Sequence, residues 1–218
     1  MSEYKADSMA RVRIKICGIT RAEDAISAAA LGTDAIGLVF YDKSPRCVNA
    51  VTASTIVKSL PPFVCKVGLF VDCDAQAIRT ILREVPLDLL QFHGDETPEQ
   101  CRQFGKPYIK AIRMTEGIDL NACTNIYPDA TAFLLDSYVT NIAGGTGQVF
   151  NWDLIPVDLG KPMILSGGLD AGNVGAAIRT VHPYAVDTSS GVESDKGIKD
   201  QRKIAAFVQA VTAAHTPV

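Results

Sequence analysis

Eight short apolar runs recur along this 218-residue chain, and amphipathic stretches separate most of them. They are Val12-Arg-Ile-Lys-Ile, Asp34-Ala-Ile-Gly-Leu-Val-Phe, Val64-Cys-Lys-Val-Gly-Leu-Phe-Val, Leu87-Asp-Leu-Leu-Gln-Phe-His, Tyr108-Ile-Lys-Ala-Ile-Arg, Thr131-Ala-Phe-Leu-Leu-Asp, Met163-Ile-Leu-Ser and Ala185-Val-Asp-Thr. Each is too short for a buried helix, and most carry apolar residues on both parities, as a strand in a covered parallel sheet does. Their starts recur every roughly 20 to 30 residues, the length of a right-handed strand–helix–strand unit. The pattern therefore predicts an α/β chain closed into a single (β/α)8 barrel over residues 11–218, preceded by a polar extension at 1–10. An open doubly wound sheet is the rival architecture. Helices are expected at Arg21–Leu31 with Thr20 as cap, Ala75–Glu84 capped by Asp72 and Asp74, Pro98–Phe104, Ala171–Val181 and Asp200–Ala214. The fifth and sixth are weak, Asn121–Ile126 being short and Trp152–Ile155 meeting Pro156, so irregular connections are expected there.

The last two runs end in Ser166-Gly-Gly and Ser189-Ser-Gly. Glycines at strand ends let backbone N–H groups approach an anion closely, and in eight-stranded barrels the loops after strands seven and eight often hold a phosphate. Gly167, Gly168, Ser189, Ser190 and Gly191 are thus candidate phosphate ligands; as plain turn residues they need no such role. Chemistry in a barrel sits at the C-terminal strand ends, which selects Cys17, Arg46, Gln91, His93, Asp95, Arg113 and Asp136. Cys17 reads either as a small buried hydrophobe or as a reactive thiol that Gly18 leaves uncovered. Asp136 ends a strongly apolar run, where partial desolvation would suit a general acid, although a turn role is the plainer reading. Arg46, on the stiffened loop Ser44-Pro-Arg, is a sensible mount for gripping a carboxylate.

A formal charge of −3 and the absence of any basic run argue against nucleic acid or an anionic membrane as partner. No run is long enough to span a membrane and residues 1–10 lack a signal peptide's apolar core, so a cytoplasmic protein is expected. The six cysteines form no C-x-x-C pair and His93, His182 and His215 are widely spaced, which implies reduced, mostly buried thiols and no metal site.

Lys15-Ile-Cys-Gly-Ile-Thr, Gly37-Leu-Val-Phe, Ser44-Pro-Arg, Val67-Gly-Leu-Phe-Val, Gln91-Phe-His-Gly-Asp-Glu, Leu134-Leu-Asp, Gly144-Gly-Thr-Gly, Leu165-Ser-Gly-Gly-Leu and Val186-Asp-Thr-Ser-Ser-Gly-Val-Glu together resemble the phosphoribosylanthranilate isomerase family of tryptophan biosynthesis, in order from about Arg13 to the final helix. The resemblance implies a (β/α)8 barrel that isomerises a small phosphoribosyl substrate by an Amadori rearrangement, with no cofactor and no obligate protein partner. It implies Cys17 as general base, Asp136 as general acid, Arg46 as the contact to the anthranilate carboxylate, and the two glycine-rich turns as the phosphate site. The base would need its thiol pKa lowered from about 8.5. Asn151, Thr188 and Lys196 depart from the family's usual aspartate, valine and proline. The histidine-pathway isomerase, which uses two aspartates for the same rearrangement, and a non-catalytic barrel binding a phosphorylated ligand are the alternatives.

Overall fold

A computed structural model describes residues 11–115, 117–136, 155 and 159–215. Its eight parallel strands close into a barrel in sequence order: β1 (Arg13–Ile16), β2 (Ala35–Val39), β3 (Cys65–Phe70), β4 (Leu89–Phe92), β5 (Tyr108–Arg113), β6 (Ala132–Asp136), β7 (Met163–Ser166) and β8 (Ala185–Thr188), with β8 pairing back onto β1. Seven helices are described: α1 (Ala22–Ala30), α2 (Ala50–Ser59), α3 (Ala75–Glu84), α4 (Pro98–Arg102), α5 (Leu120–Ile126), α6 (Val174–Val181) and α7 (Gln201–His215). The open doubly wound sheet is excluded by the β1–β8 ladder, which aligns Lys15 with Asp187 and Ile16 with Thr188.

Strand alternation divides the apolar residues into an outer and an inner set. Outward residues such as Ile14, Ile16, Leu38, Phe70, Phe92, Phe133, Leu135 and Val186 form one core with the helices. Inward residues fill the barrel with a separate cluster of Ile109, Ala111, Ala132, Leu134, Ile164 and Ala185, and a smaller one of Cys17, Val39 and Leu69 lies at the mouth. The second and smaller cluster brings a candidate catalytic residue into the barrel lining.

Several helix boundaries follow from caps that the sequence displays. Asp74 accepts from Gln76 N and Ala77 N to start α3, and Thr97 with Gln100 forms a capping box at α4. Other expectations need correction. Thr20 does not cap α1; its hydroxyl donates to Gly197 O, and Arg21 occupies the cap position without capping it, its side chain donating to Asp24 instead. Asp72 is no cap either, because its backbone turns to φ 46° and its carboxylate accepts from Asp95 N. Helix α6 starts at Val174 rather than Ala171, since Asp170 folds residues 171–173 into a turn by accepting from Gly172 N and Asn173 N. Helix α5 is as short as expected, seven residues, and Asp119 caps it. Trp152, Asn151, the Gly144-Gly-Thr-Gly motif and the 1–10 extension lie outside the described residues.

One element was not anticipated. Between β8 and α7 the chain makes a 3-10 turn at Ser190–Val192 and a small antiparallel hairpin, β9 (Glu193–Asp195) with β10 (Ile198–Lys199). Among the described residues no helix is long and apolar enough to cross a membrane.

Candidate active site

Cys17 directly follows β1, and its N–H donates to Thr188 O at 2.8 Å, continuing the β1–β8 ladder to the rim. Lys15, two residues earlier and therefore on the same inward face, pairs with Asp187 at 2.9 Å. Both side chains are almost fully buried, so each requires the other. Ser166 of β7 donates to the second Asp187 oxygen. A Cβ placed on Gly37 of β2 would lie 2.7 Å from Cys17 Sγ and 3.2 Å from Lys15 Nζ. Only a glycine leaves room for thiol and ammonium to converge there.

Gly18, at φ 71°, does not leave the thiol open as expected. Its bare face is covered by Arg46 and Ser189: a Cβ there would meet Arg46 Cδ at 2.4 Å and Ser189 Oγ at 2.9 Å. Cys17 is accordingly only 6% exposed. The expected lowering of its pKa is also reversed. Burial pushes the thiol up, Lys15 pulls it down, Asp187 pushes it up and Lys199 pulls it down, with a net upward direction. The thiols are less buried than anticipated: Cys17 and Cys101 are buried, and Cys47, Cys65, Cys73 and Cys123 are intermediate.

Arg46 stands beside Cys17 on a loop tightened by Ser44, whose Oγ accepts from Arg46 N. Its Nε and Nη2 both reach Glu193, each at 2.7 Å, and Lys199 Nζ reaches the same carboxylate at 2.9 Å. Burial alone would raise the pKa of Glu193, but the hydrogen bonds and charges of Arg46 and Lys199 carry it below the usual carboxylate range. Lys199 also donates to Ser189 O and Oγ, tying the base of the hairpin to the turn after β8. Glu193 fixes the inner edge of the guanidinium, while Nη1 and the outer hydrogen of Nη2 have no partner among the described residues; that outer edge is a fork for a carboxylate.

The candidate phosphate residues come together at the ends of β7 and β8. Gly167 and Gly168 take φ of 89° and 64°. A Cβ on Gly191 would sit 2.1 Å from Leu169 O, so the two turns touch through a position that admits no side chain. Thr188 explains part of this contact: its hydroxyl donates to Leu169 O at 2.6 Å, a bond that a valine there could not make. Gly168 lies in the turn after β7, and Ser190 and Gly191 begin the 3-10 turn after β8, positions from which backbone N–H groups can meet an anion. Lys196 is an exposed hairpin residue before Gly197.

Asp136 ends β6 with its side chain half-buried at 17% exposure. Its Oδ2 lies 3.0 Å from His93 Nε2, and His93 Nδ1 lies 3.0 Å from the amide nitrogen of Gln91. Gln91 is within β4 rather than after it and is fully buried. The loop carrying His93 is pinned by Glu96, which accepts from Gly94 N and Asp72 N and pairs with the buried Lys110. Arg113 is level with Asp136 in the β5–β6 register and exposed. Asp95 is exposed, and its backbone serves the Asp72 turn rather than the mouth.

Around the rim the order is thus Asp136 (β6), the glycine turns (β7 and β8), Cys17 (β1) and Arg46 (after β2), on five consecutive strands. The supporting residues Lys15, Asp187, Glu193 and Lys199 had been given no role. Lys15 was detectable by its two-residue spacing from Cys17; the others depend on closure of the barrel.

The sequence pattern of the family described as N-(5'phosphoribosyl)anthranilate (PRA) isomerase matches residues 14–210. An N-(5'-phosphoribosyl)anthranilate isomerase of Pseudomonas putida is 57% identical over 206 residues, covering 94% of this chain and all of that protein. The crystal structure of phosphoribosyl anthranilate isomerase from Thermotoga maritima superposes with a TM-score of 0.86 at 41% identity, covering 93% of this chain and 99% of that one. A phosphoribosyl anthranilate isomerase solved with reduced 1-(o-carboxyphenylamino)-1-deoxyribulose 5-phosphate gives a TM-score of 0.82 at 39% identity, with the same coverage. With the match spanning nearly the whole barrel, the chain belongs to the N-(5'-phosphoribosyl)anthranilate isomerase family.

Proposed function

We propose that this chain converts N-(5-phosphoribosyl)anthranilate into 1-(2-carboxyphenylamino)-1-deoxyribulose 5-phosphate, with Asp136 as acid, Cys17 as base, Arg46 at the substrate carboxylate and Gly167, Gly168, Ser189, Ser190 and Gly191 at the phosphate. The observation that carries this reading is the order around the rim: the phosphate turns on β7 and β8 lie between the strands of the acid and the base. A substrate anchored there holds its ribose within the reach of both groups, which is the positioning contribution to rate.

The first step opens the furanose. Asp136 gives a proton to the ring oxygen as the anomeric C–O bond breaks, and the nitrogen lone pair forms a C=N bond. The resulting iminium acidifies the proton on the adjacent sugar carbon, and Cys17 removes it to give an enolamine that tautomerises to the ketone. The substrate nitrogen is itself the electron sink, so the rearrangement calls for no cofactor. A buried thiol with its pKa raised is a poor base in the free protein, but the iminium brings a positive charge to the same site and favours the thiolate. Lys15 and Lys199 already act in that direction. The enzyme works on a free small molecule in the cytoplasm and needs no protein partner for the chemistry.

Loss of phosphoribosylanthranilate fluorescence upon addition of purified protein is the expected result. Absence of turnover by folded protein, with turnover of the histidine-pathway aminoaldose instead, would overturn the assignment.

A further inference from the structure

Gln91 and His93 are not used in the chemistry above, yet they form an unbroken chain from the barrel interior to Asp136. A carboxamide nitrogen has hydrogens and no acceptor lone pair, so at 3.0 Å from His93 Nδ1 it can only donate. Nδ1 must then be the bare nitrogen of the ring. The hydrogen of the neutral imidazole sits on Nε2 and is donated to Asp136 Oδ2 at 3.0 Å. We propose that Gln91 and His93 are positioning residues which keep the transferable proton of the site on Asp136 Oδ1, facing the substrate.

Two consequences of the geometry lead there. A second proton on His93 would have to be placed on Nδ1, where it would meet the Gln91 amide hydrogens head-on. The Gln91 contact therefore favours the neutral ring and leaves the acid proton of the proposed mechanism to the aspartate. Within the carboxyl group Oδ2 already receives the Nε2 hydrogen, and Oδ1 makes no hydrogen bond to the described residues. Oδ1 is thus the oxygen that carries the acid proton. Once that proton has passed to the furanose oxygen, the carboxylate left behind keeps the His93 hydrogen bond, which stabilises the charge produced by the step.

The amide orientation has its own support. As placed, Gln91 leaves one buried acceptor, Oε1, without a partner. Turned over, its carbonyl would call for a hydrogen on Nδ1, and a neutral ring would then face the Asp136 carboxylate with a bare Nε2 at 3.0 Å. His93 is held firmly enough for the distinction to matter. Its N–H donates to Phe70 O, and the next residue, Gly94, is bound at N–H by Glu96 and at its carbonyl by Lys110.

This inference rests on Asp136 being the acid, and the test separates the two. Ring nitrogen-15 spectra of the wild-type free enzyme, with His93 assigned by comparison with His93→Asn, should show a protonated Nε2 and an unprotonated Nδ1. Gln91→Glu offers an acceptor to Nδ1 and should move a proton onto it, lowering kcat about ten- to a hundredfold while KM changes less than about threefold. If Gln91→Glu does not fold, Gln91→Met removes the donor at similar size and should give a mixture of the two tautomers. A protonated Nδ1 in the wild type, or a folded Gln91→Glu enzyme with unchanged kcat, would overturn the relay. Asp136→Asn with normal turnover would instead remove the acid assignment on which it rests.

Discussion

On the side of the rim from β8 to the loop after β2, Cys17 is surrounded by formal charges: Lys15 with Asp187, and Lys199 with Glu193 and Arg46. On the side from β4 to β6, Asp136 meets an imidazole that is itself held by a carboxamide. Under the proposed mechanism the difference tracks what each group has to do. A buried thiol must become an anion in a place from which water is largely excluded, and only nearby cations offset that cost. An acid must hold a proton and release it in one direction, which calls for hydrogen bonds of fixed polarity more than for charge. Charges are also hard to bury singly, so the Cys17 side needs two anions, Asp187 and Glu193, to accompany its cations. On the Asp136 side the buried pair, Lys110 with Glu96, holds the loop that carries His93 and makes no contact with the acid among the described residues.

The most severe way to break this contrast is to remove each reacting group. Cys17→Ser and Asp136→Asn should each lower kcat by 10²–10⁴-fold, measured by substrate fluorescence, while product affinity changes little. A Cys17→Ala enzyme that turns over normally would return that residue to a buried hydrophobe.

Next in size is the anion that unites two cations. Glu193→Gln should cost about 3 kcal/mol or more of unfolding free energy in a denaturant titration, because Lys199 is left buried and uncompensated. The sign of its pH dependence follows from the direction of the Glu193 shift. Its folded pKa lies below the unfolded value of about 4.3, so its stabilisation is present above that pH and is lost as pH falls through the folded pKa. The advantage of wild type over Glu193→Gln should accordingly shrink below about pH 4. No change in the difference between pH 7 and pH 3 would mean that folding does not shift the Glu193 pKa, so that its two cations do not stabilise the carboxylate.

Arg46→Lys is a smaller and sharper probe. Lysine cannot hold Glu193 along one edge and present a second planar edge outward, so kcat/KM for the anthranilate substrate should fall about ten- to a hundredfold. An analogue lacking the carboxylate should be affected much less. Equal losses on both would make Arg46 a partner of Glu193 alone.

The smallest expected effect is at the phosphate turns, where backbone donors dominate. Ser190→Ala should raise KM only about fivefold, the worth of one hydrogen bond of ~1 kcal/mol. A loss as large as that of Arg46→Lys would shift the binding from the backbone to the hydroxyl.

The two sides of the mouth also differed in how far the sequence revealed them. Gln91 and His93 lie two residues apart on one strand end, so their shared face could be read from strand alternation alone. The strands themselves were legible because burial on both faces leaves runs such as Phe133-Leu-Leu without a polar interruption, and Asp74 announced the helix it caps. Lys15 shares a face with Cys17 by the same two-residue spacing, but what neutralises it could not be read. Its partner Asp187 is 172 residues away, and nothing local says that the eighth strand returns to the first. Arg46 was seen as a carboxylate grip, but its 147-residue link to Glu193 depends on a hairpin too short to leave a periodic signal. Thr20 was misassigned for the same reason: Gly197 of that hairpin competes for its hydroxyl and wins.

The Lys15–Asp187 pair has a consequence for how the protein comes into being. Contacts of such long sequence separation have the costliest loop to close and are made late when folding begins with local structure. As the chain leaves the ribosome, β1 emerges first with an ammonium on its inner face, and the carboxylate that neutralises it arrives with the last strand. Until then Lys15 favours hydrated, unclosed arrangements over any premature collapse of the first strands into a dry core. The residue beside Cys17 thus opposes early closure, because its charge is neutralised only when the eighth strand is in place.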